Sequence, residues 1–260
     1  MGRVAKTIVN DGGGESKVEG ELIEIILHPC YTRYTRKQIG DMFMAIAAHE
    51  TQPYLTPQAY LAQEREAETK SEYYAGQVYA MSGANEAHNL IVWNVGGELR
   101  SLLKKRPCKG YPSDMRVKVS PTGLYTYPDV TVVCGEAQFD DGHKDTLLNP
   151  TVIIEVLSES TEAYDRGKKF AHYRTLDSLA EYLLVAQDSV AIDRYVRQSD
   201  GGWLLTAYRG LAAVAMIEAI DCELPLAEVY DKVEGLDDED WGQTLSVLKE
   251  DAGSYSAQLI

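Results

Sequence analysis

Val152-Ile-Ile-Glu-Val-Leu-Ser-Glu-Ser160 decides how this chain is read. Its first six residues have the aliphatic, β-branched character of a buried strand, and Ser-Glu-Ser is a stop. Glu155 breaks the run. An ionised carboxylate in an apolar interior is costly unless it is paired, hydrogen-bonded or bound to a metal. Glu155 therefore lies on a sheet face open to water, or it belongs to a site.

Working outward, residues 161–176 read as a helix that follows the strand at once. Asp165, Lys169 and Tyr173 are four residues apart on it, so they stack on one face. Upstream, Tyr127-Pro-Asp-Val-Thr-Val-Val-Cys134 reads as a strand headed by Pro128-Asp129, and Met115-Arg-Val-Lys-Val-Ser120 alternates like another. Residues 135–149 between them and Glu155 read as a polar loop. Ser71 to Met81 is predicted to be a hairpin turning at Ala75-Gly76. Two earlier helices are expected: residues 55–64, with Thr56 as cap and Pro57 in the first turn, and residues 88–104. Strands are expected over residues 181–186, 190–196 and 203–208. The order of elements predicts an α/β or α+β fold around one mixed sheet flanked by helices.

The ends read differently. Residues 1–50 look like a flexible N-terminal extension broken by Asp11-Gly-Gly-Gly14, with Met42 and Met44 resembling a chain start. Residues 51–235 are expected to form the folded domain, and residues 236–260 an acidic tail containing Asp237-Asp-Glu-Asp240 and a last short helix.

With 260 residues and 45% hydrophobic composition, the chain is long enough for a substantial core. No apolar run reaches membrane-spanning length and no leader of secretory type is visible, so cytoplasmic residence and no membrane partner are expected. The net charge of −15 weighs against tight non-specific DNA binding by broad electrostatics. It leaves room for a local basic groove, or for carboxylates gathered around a metal. The four cysteines are widely spaced with no C-x-x-C pair, and are expected to be reduced. No G-x-S-x-G elbow, phosphate loop or dinucleotide fingerprint is present.

Asp129 and Glu155 on two strands, with Lys169 on a helix, suit metal-assisted phosphodiester cleavage. Hard carboxylate oxygens bind Mg²⁺ while leaving positions for waters and a phosphate oxygen. A lysine can orient the attacking water or offset charge in the transition state. Each residue also has a plainer reading. Glu155 can be a solvated edge carboxylate, Asp129 a turn residue after Pro128, and Lys169 a helix lysine paired with Asp165. Glu72 is either a third site carboxylate or a hairpin surface charge. His88 either supports the site or caps and packs at a helix start. Tyr173 either bonds a site carboxylate or fills core space.

From about Pro53 to Val233 the chain resembles the Uma-two family, classed with restriction endonucleases. The resemblance rests on Lys70-Ser-Glu-Tyr-Tyr-Ala-Gly-Gln-Val-Tyr-Ala-Met-Ser-Gly-Ala84, His88, Ser113-Asp-Met-Arg-Val117, Tyr127-Pro-Asp-Val130 and Asn149-Pro150. It continues through Glu155-Val-Leu-Ser158, Ser160-Thr161, Asp165-Arg-Gly-Lys-Lys169, Tyr173 and Glu181-Tyr182. It implies a restriction-endonuclease-like fold and DNA as substrate. Asp129 matches the first acidic position and Glu155 the second. They would hold Mg²⁺, or Mn²⁺ in its place, with the Val156 carbonyl; Lys169 would position the water, with Glu72 and His88 in support. The chain departs from the usual pattern at Leu157, where the lysine of that fold normally stands; Lys169 is its match on the next helix. The fold analogy alone suggests a homodimer, since a duplex has two strands to cut. The competing expectation is a catalytically inactive module of the same fold that binds nucleic acid or protein. A third is a metal hydrolase for small phosphate substrates.

Overall fold

The computed structural model describes residues 54–236 and, ahead of them, one antiparallel strand pair, β1 (Ile23–Glu24) with β2 (Arg33–Tyr34). The expectations of a flexible extension and of a helical acidic tail otherwise fall outside the described residues. The chain divides into two units, Met1–Tyr54 and Leu55–Ile260. The second unit holds every described helix and every strand after β2.

Helix α1 (Pro57–Glu66) begins as its sequence predicts: the Thr56 hydroxyl accepts from the Ala59 N–H at 3.2 Å, and Pro57 fills the first turn. Strands β3 (Ser71–Tyr74) and β4 (Gln77–Ala80) form the expected hairpin. Ala75 and Gly76 both take left-handed backbone, φ 50° and 86°, as a two-residue turn between twisted strands demands. Helix α2 (Glu86–Leu103) is capped by Asn85, whose side chain accepts from the His88 N–H at 2.9 Å. There follow β5 (Cys108–Pro112), β6 (Arg116–Val119), β7 (Leu124–Thr126), β8 (Val130–Cys134), β9 (Thr146–Leu147) and β10 (Val152–Val156). Helix α3 is α-helical over Glu162–Tyr164, widens to a π-turn over Asp165–Lys169, and is α-helical again over Phe170–Tyr173. The chain ends in β11 (Glu181–Val185), β12 (Ala191–Arg197), β13 (Trp203–Arg209), β14 (Val214–Ile217), β15 (Cys222–Pro225) and α4 (Leu226–Val229).

The single mixed sheet expected from the sequence is corrected to two main sheets. A six-stranded sheet runs β13-β12-β11-β10-β8-β5, with β10 and β11 parallel and its other pairs antiparallel. A five-stranded sheet runs β4-β3-β7-β6-β9, and it takes in the hairpin and the Met115–Ser120 stretch. The loop expected over residues 135–149 supplies β9, which pairs parallel with β6. β14 and β15, which the sequence did not announce, form a separate antiparallel pair.

β10 is buried on both faces, and alternation sorts its side chains. Val152, Ile154 and Val156 pack with Ile91, Val95, Leu99 and Leu103 of α2. Ile153 and, just beyond the strand, Leu157 join the opposite core with Tyr173, Leu176 and Tyr182. Each such aliphatic side chain contributes about 1.5–3 kcal/mol by leaving water. Glu155 falls on the second face, so the α3 side of the sheet has a carboxylate set into it.

The expectation that all cysteines are reduced is also corrected. Cys108 and Cys134 are directly opposite one another on β5 and β8, 4.0 Å apart at Cα, and form a disulfide. A separation of 26 residues hid that pairing, because register and not spacing brings them together. Cross-linking a loop of that length contributes about 3.5 kcal/mol in the chain-entropy account. Reduction is therefore expected to lower the melting temperature by about 10 °C. Alkylation of denatured, unreduced protein should leave Cys108 and Cys134 unmodified in the peptide map. Among the described residues, no helix is long and apolar enough to cross a membrane.

Candidate active site

The chain passes from the five-stranded sheet to the six-stranded one through Tyr127-Pro128-Asp129, between β7 and β8. Pro128 has no N–H to leave unpaired at that crossing, and it holds Tyr127 extended. Antiparallel β8 and β10 pair Val130 with Ile154 and Thr131 with Ile153. Continued by one residue, that register sets Asp129 opposite Glu155, and directly opposite residues share a sheet face. Glu155 points toward α3, where it meets Lys169 and Tyr173, whereas Asp129, one residue outside β8, bonds to the Val156 amide and to His88 of α2.

Asp129 is fixed on both oxygens. Its Oδ2 accepts the Val156 N–H at 2.8 Å, and its Oδ1 lies 3.2 Å from His88 Nε2. The amide side of Val156 is thus what meets Asp129. His88 comes from the first turn of α2, on the stripe that faces the sheet. An open groove lined by Ala84, Asn85, His88, Ser158 and Gln187 borders this half of the cluster. Asp129 and His88 are its water-facing members.

The other half is enclosed. Glu155 is 3% exposed and Lys169 6%. The Lys169 ammonium lies 3.0 Å from Glu155 Oε1, 3.3 Å from Asp165 Oδ1 and 3.5 Å from Glu72 Oε1. The Tyr173 hydroxyl donates to Glu155 Oε1 at 2.8 Å. Glu72 arrives from β3 of the other sheet. It accepts from Thr126 through Oε1 and from Tyr164 through Oε2, the latter at 3.3 Å. The Tyr182 hydroxyl donates to the Asp165 carbonyl within the π-turn, 3.2 Å away. A π-turn carries one residue more per turn than an α-helix, and such turns recur at functional sites. Here it places Asp165 and Lys169 on the same ion cluster.

Electrostatics follow from the enclosure. Burial pushes Glu155 up to about 8, with Asp165 and Asp129 adding repulsion and Lys169 opposing it. Burial also raises Asp165, against the pull of Lys169. For Lys169 burial alone would lower the pKa, but Glu155, Asp165 and Glu72 together outweigh it and hold the amine well above its usual value. Burial raises the Tyr173 hydroxyl well above its ordinary range, and Glu155 raises it further, so it remains a donor.

The structure thus brings Glu72, Glu155 and Lys169 into direct contact, and ties Asp129 to His88 and to the backbone beside Glu155. The solvated-edge reading of Glu155 and the surface-charge reading of Glu72 do not hold. Asp165, read from the sequence only as a neighbour of Lys169 on one helix face, joins the cluster, and Tyr164 and Thr126 were missed as members. The i,i+4 spacing to Lys169 marks Asp165 in the sequence, whereas nothing local marks Tyr164 or Thr126. Among the described residues, no group of three or more His, Cys, Asp or Glu side chains has the spacing of a metal cage. The donor chemistry still suits a small hard cation, which typically takes one or two carboxylates and keeps its waters. Asp165 Oδ1 is buried, and its partner there is the Lys169 ammonium at 3.3 Å.

Mixed sheets flanked by helices, with Lys169 paired to Glu155 and Asp129 bonded to the backbone beside it, make a restriction-endonuclease-like architecture. The solved structure of a putative nuclease belonging to DUF820 from Anabaena variabilis ATCC 29413 shares the fold. It has a TM-score of 0.53 and 17% identity, over 63% of this chain and 91% of that one. Residues 57–227 match the model of the Uma2 family, described as "Putative restriction endonuclease", and the chain belongs to that family. Two proteins of Synechocystis sp. strain PCC 6803 are similar to it. The uncharacterized protein sll1609 is 36% identical over 160 residues, 62% of this chain and 90% of that protein. The uncharacterized protein slr1290 is 37% identical over 174 residues, 65% of this chain and 90% of that protein.

Proposed function

We propose that the chain is a divalent-metal-dependent endonuclease that hydrolyses DNA phosphodiester bonds. The observation that supports this best is the Lys169 ammonium 3.0 Å from Glu155, with Asp129 bonded at 2.8 Å to the amide of the next residue, Val156. Asp129, Glu155 and the Val156 carbonyl would hold the cation, Mg²⁺ or Mn²⁺. When bound, that ion polarises the phosphorus centre and lowers the pKa of a water. The chain's own residues do the rest. Lys169 lowers the cost of ionising Glu155, which burial raises to about 8, and offsets charge in the transition state. His88 and the Val156 amide orient Asp129. Tyr173 holds Glu155 in place, and Glu72 steadies the amine from the other sheet.

The second reading is a module of the same fold that binds nucleic acid or protein without cutting. Two observations favour it. The amine is enclosed by three carboxylates, and the groove lined by His88 contains Glu159 and, among the described residues, no lysine or arginine, which favours a protein over a nucleic-acid partner.

The test is cleavage of single- and double-stranded DNA in Mg²⁺ or Mn²⁺ at several salt concentrations. The parent is compared with Asp129→Ala and Lys169→Ala. Cleavage should appear with the cation, stop with EDTA, and fall by about a hundredfold or more in Asp129→Ala. A parent protein that binds the cation by calorimetry and cuts no substrate sinks the nuclease reading and leaves the second one standing.

A further inference from the structure

Helix α2 has two faces, and the nuclease reading uses only one. Its inner stripe enters the core and delivers His88 to Asp129. Its outer stripe steps by four and three residues through Glu86, Leu90, Trp93, Gly97, Arg100 and Lys104, the last being the C-cap. That alternation keeps six positions on one line facing away from the sheet.

Trp93 on this line is 79% exposed, the most exposed large apolar side chain among the described residues. One turn on, Gly96 and Gly97 sit in the middle of the helix. Each costs the helix about 1 kcal/mol relative to alanine. Among the described residues, a Cβ at either would meet no atom within 4 Å. Neither has positive φ. Nothing among the described residues therefore calls for glycine here. A bare backbone beside a projecting indole does suit the close approach of something outside it.

We infer that this face binds a second copy of the same chain, with the two α2 helices antiparallel about a two-fold axis that crosses the outer face midway between Trp93 and Gly97. In that arrangement Trp93 of each copy lies over Gly97 of the other. Glu86 meets Lys104, and Leu90 meets the aliphatic stem of Arg100. All contacts occur twice, as a closed two-fold interface requires. A parallel pairing would set Glu86 on Glu86, Lys104 on Lys104, and Trp93 on Trp93 with no gap to enter. Charge complementarity thus selects both the partner and its direction. The seam is one helix face, small for an obligate dimer, so association is expected at about 10 μM.

The experiment is sedimentation velocity on the full-length chain from about 1 to about 200 μM, a range that brackets that value. The parent should pass from monomer to dimer. Lys104→Glu should weaken the dimer about tenfold or more, since it creates two like-charge contacts. Adding Glu86→Lys to Lys104→Glu should restore association, because the swapped pair is again complementary. Trp93→Ala should leave monomer at every concentration. Circular dichroism and melting curves check that each variant is folded, and all three positions are exposed. A parent that stays monomeric overturns the inference. So does a dimer indifferent to Lys104→Glu and Trp93→Ala, which would place the interface elsewhere. A monomer whose tryptophan emission is quenched by duplex DNA, with the quench lost in Trp93→Ala, would give the face to nucleic acid and overturn it equally. None of these readouts depends on cleavage, so the nuclease reading and this one can fail separately.

Discussion

Lys169→Met should lower the stability of the domain by about 3–5 kcal/mol, the usual consequence of removing one partner from a buried ion cluster. For a domain of this size that is a fall in melting temperature of about 10 °C. The reason lies in the distances. The ammonium is 3.0, 3.3 and 3.5 Å from oxygens of Glu155, Asp165 and Glu72. Without it three carboxylates share an interior with no counter-charge, and must take up protons or open the site to water. A double-mutant cycle isolates the effect. Glu155→Gln placed on Lys169→Met should recover part of the loss, with a coupling above about 1 kcal/mol. Equal melting temperatures for the parent and Lys169→Met would mean that the amine is solvated and the cluster is not as described.

Glu155→Gln should separate activity from stability. Cleavage is expected to fall by about a hundred- to a thousandfold, while the melting temperature at neutral pH holds or rises. Glutamine keeps the shape and the Tyr173 hydrogen bond, and it stands in for the protonated carboxyl that burial favours at neutral pH. The pH dependence gives a second signature in metal-free buffer. Burial raises the Glu155 carboxyl from 4.5 to about 8 in the folded protein. Between those values the folded state binds more protons than the unfolded one. Its contribution is therefore complete below the unfolded pKa and is lost as pH rises through the folded one. The parent's melting temperature should drift down between about pH 5 and pH 8, and Glu155→Gln should flatten that drift. An identical slope in both proteins would show that the carboxylate is not held as the distances require.

Much of this architecture was legible locally, and the illegible parts were non-local. Thr56 as a cap and Ala75-Gly76 as a turn depend on a few adjacent residues. Glu155 within an apolar run, Pro128-Asp129 ahead of a strand, and Lys169 four residues after Asp165 were enough to nominate the central members of the site. The division into two sheets was not legible, because β3 finds β7 across some fifty residues of chain that carry no mark of it. β9 is two residues long, too short for any alternation to show. The disulfide needed the β5–β8 register. The π-turn was hidden for another reason. Asp165 and Lys169 are four positions apart whether the helix is α or π, so periodicity cannot reveal the wider winding. Thr126 and Tyr164 reach Glu72 only because two sheets meet, and no motif encodes that meeting.

The crossing at Tyr127-Pro128-Asp129 has a mechanical consequence. Glu72 belongs to one sheet and Glu155 to the other, and a single ammonium is bonded to both. A slip of one sheet along the other by a fraction of an ångström would lengthen one contact while shortening its counterpart. The lysine then acts as a strain gauge across the seam. Whatever pulls the layers out of alignment alters the charge balance around Glu72 and Glu155.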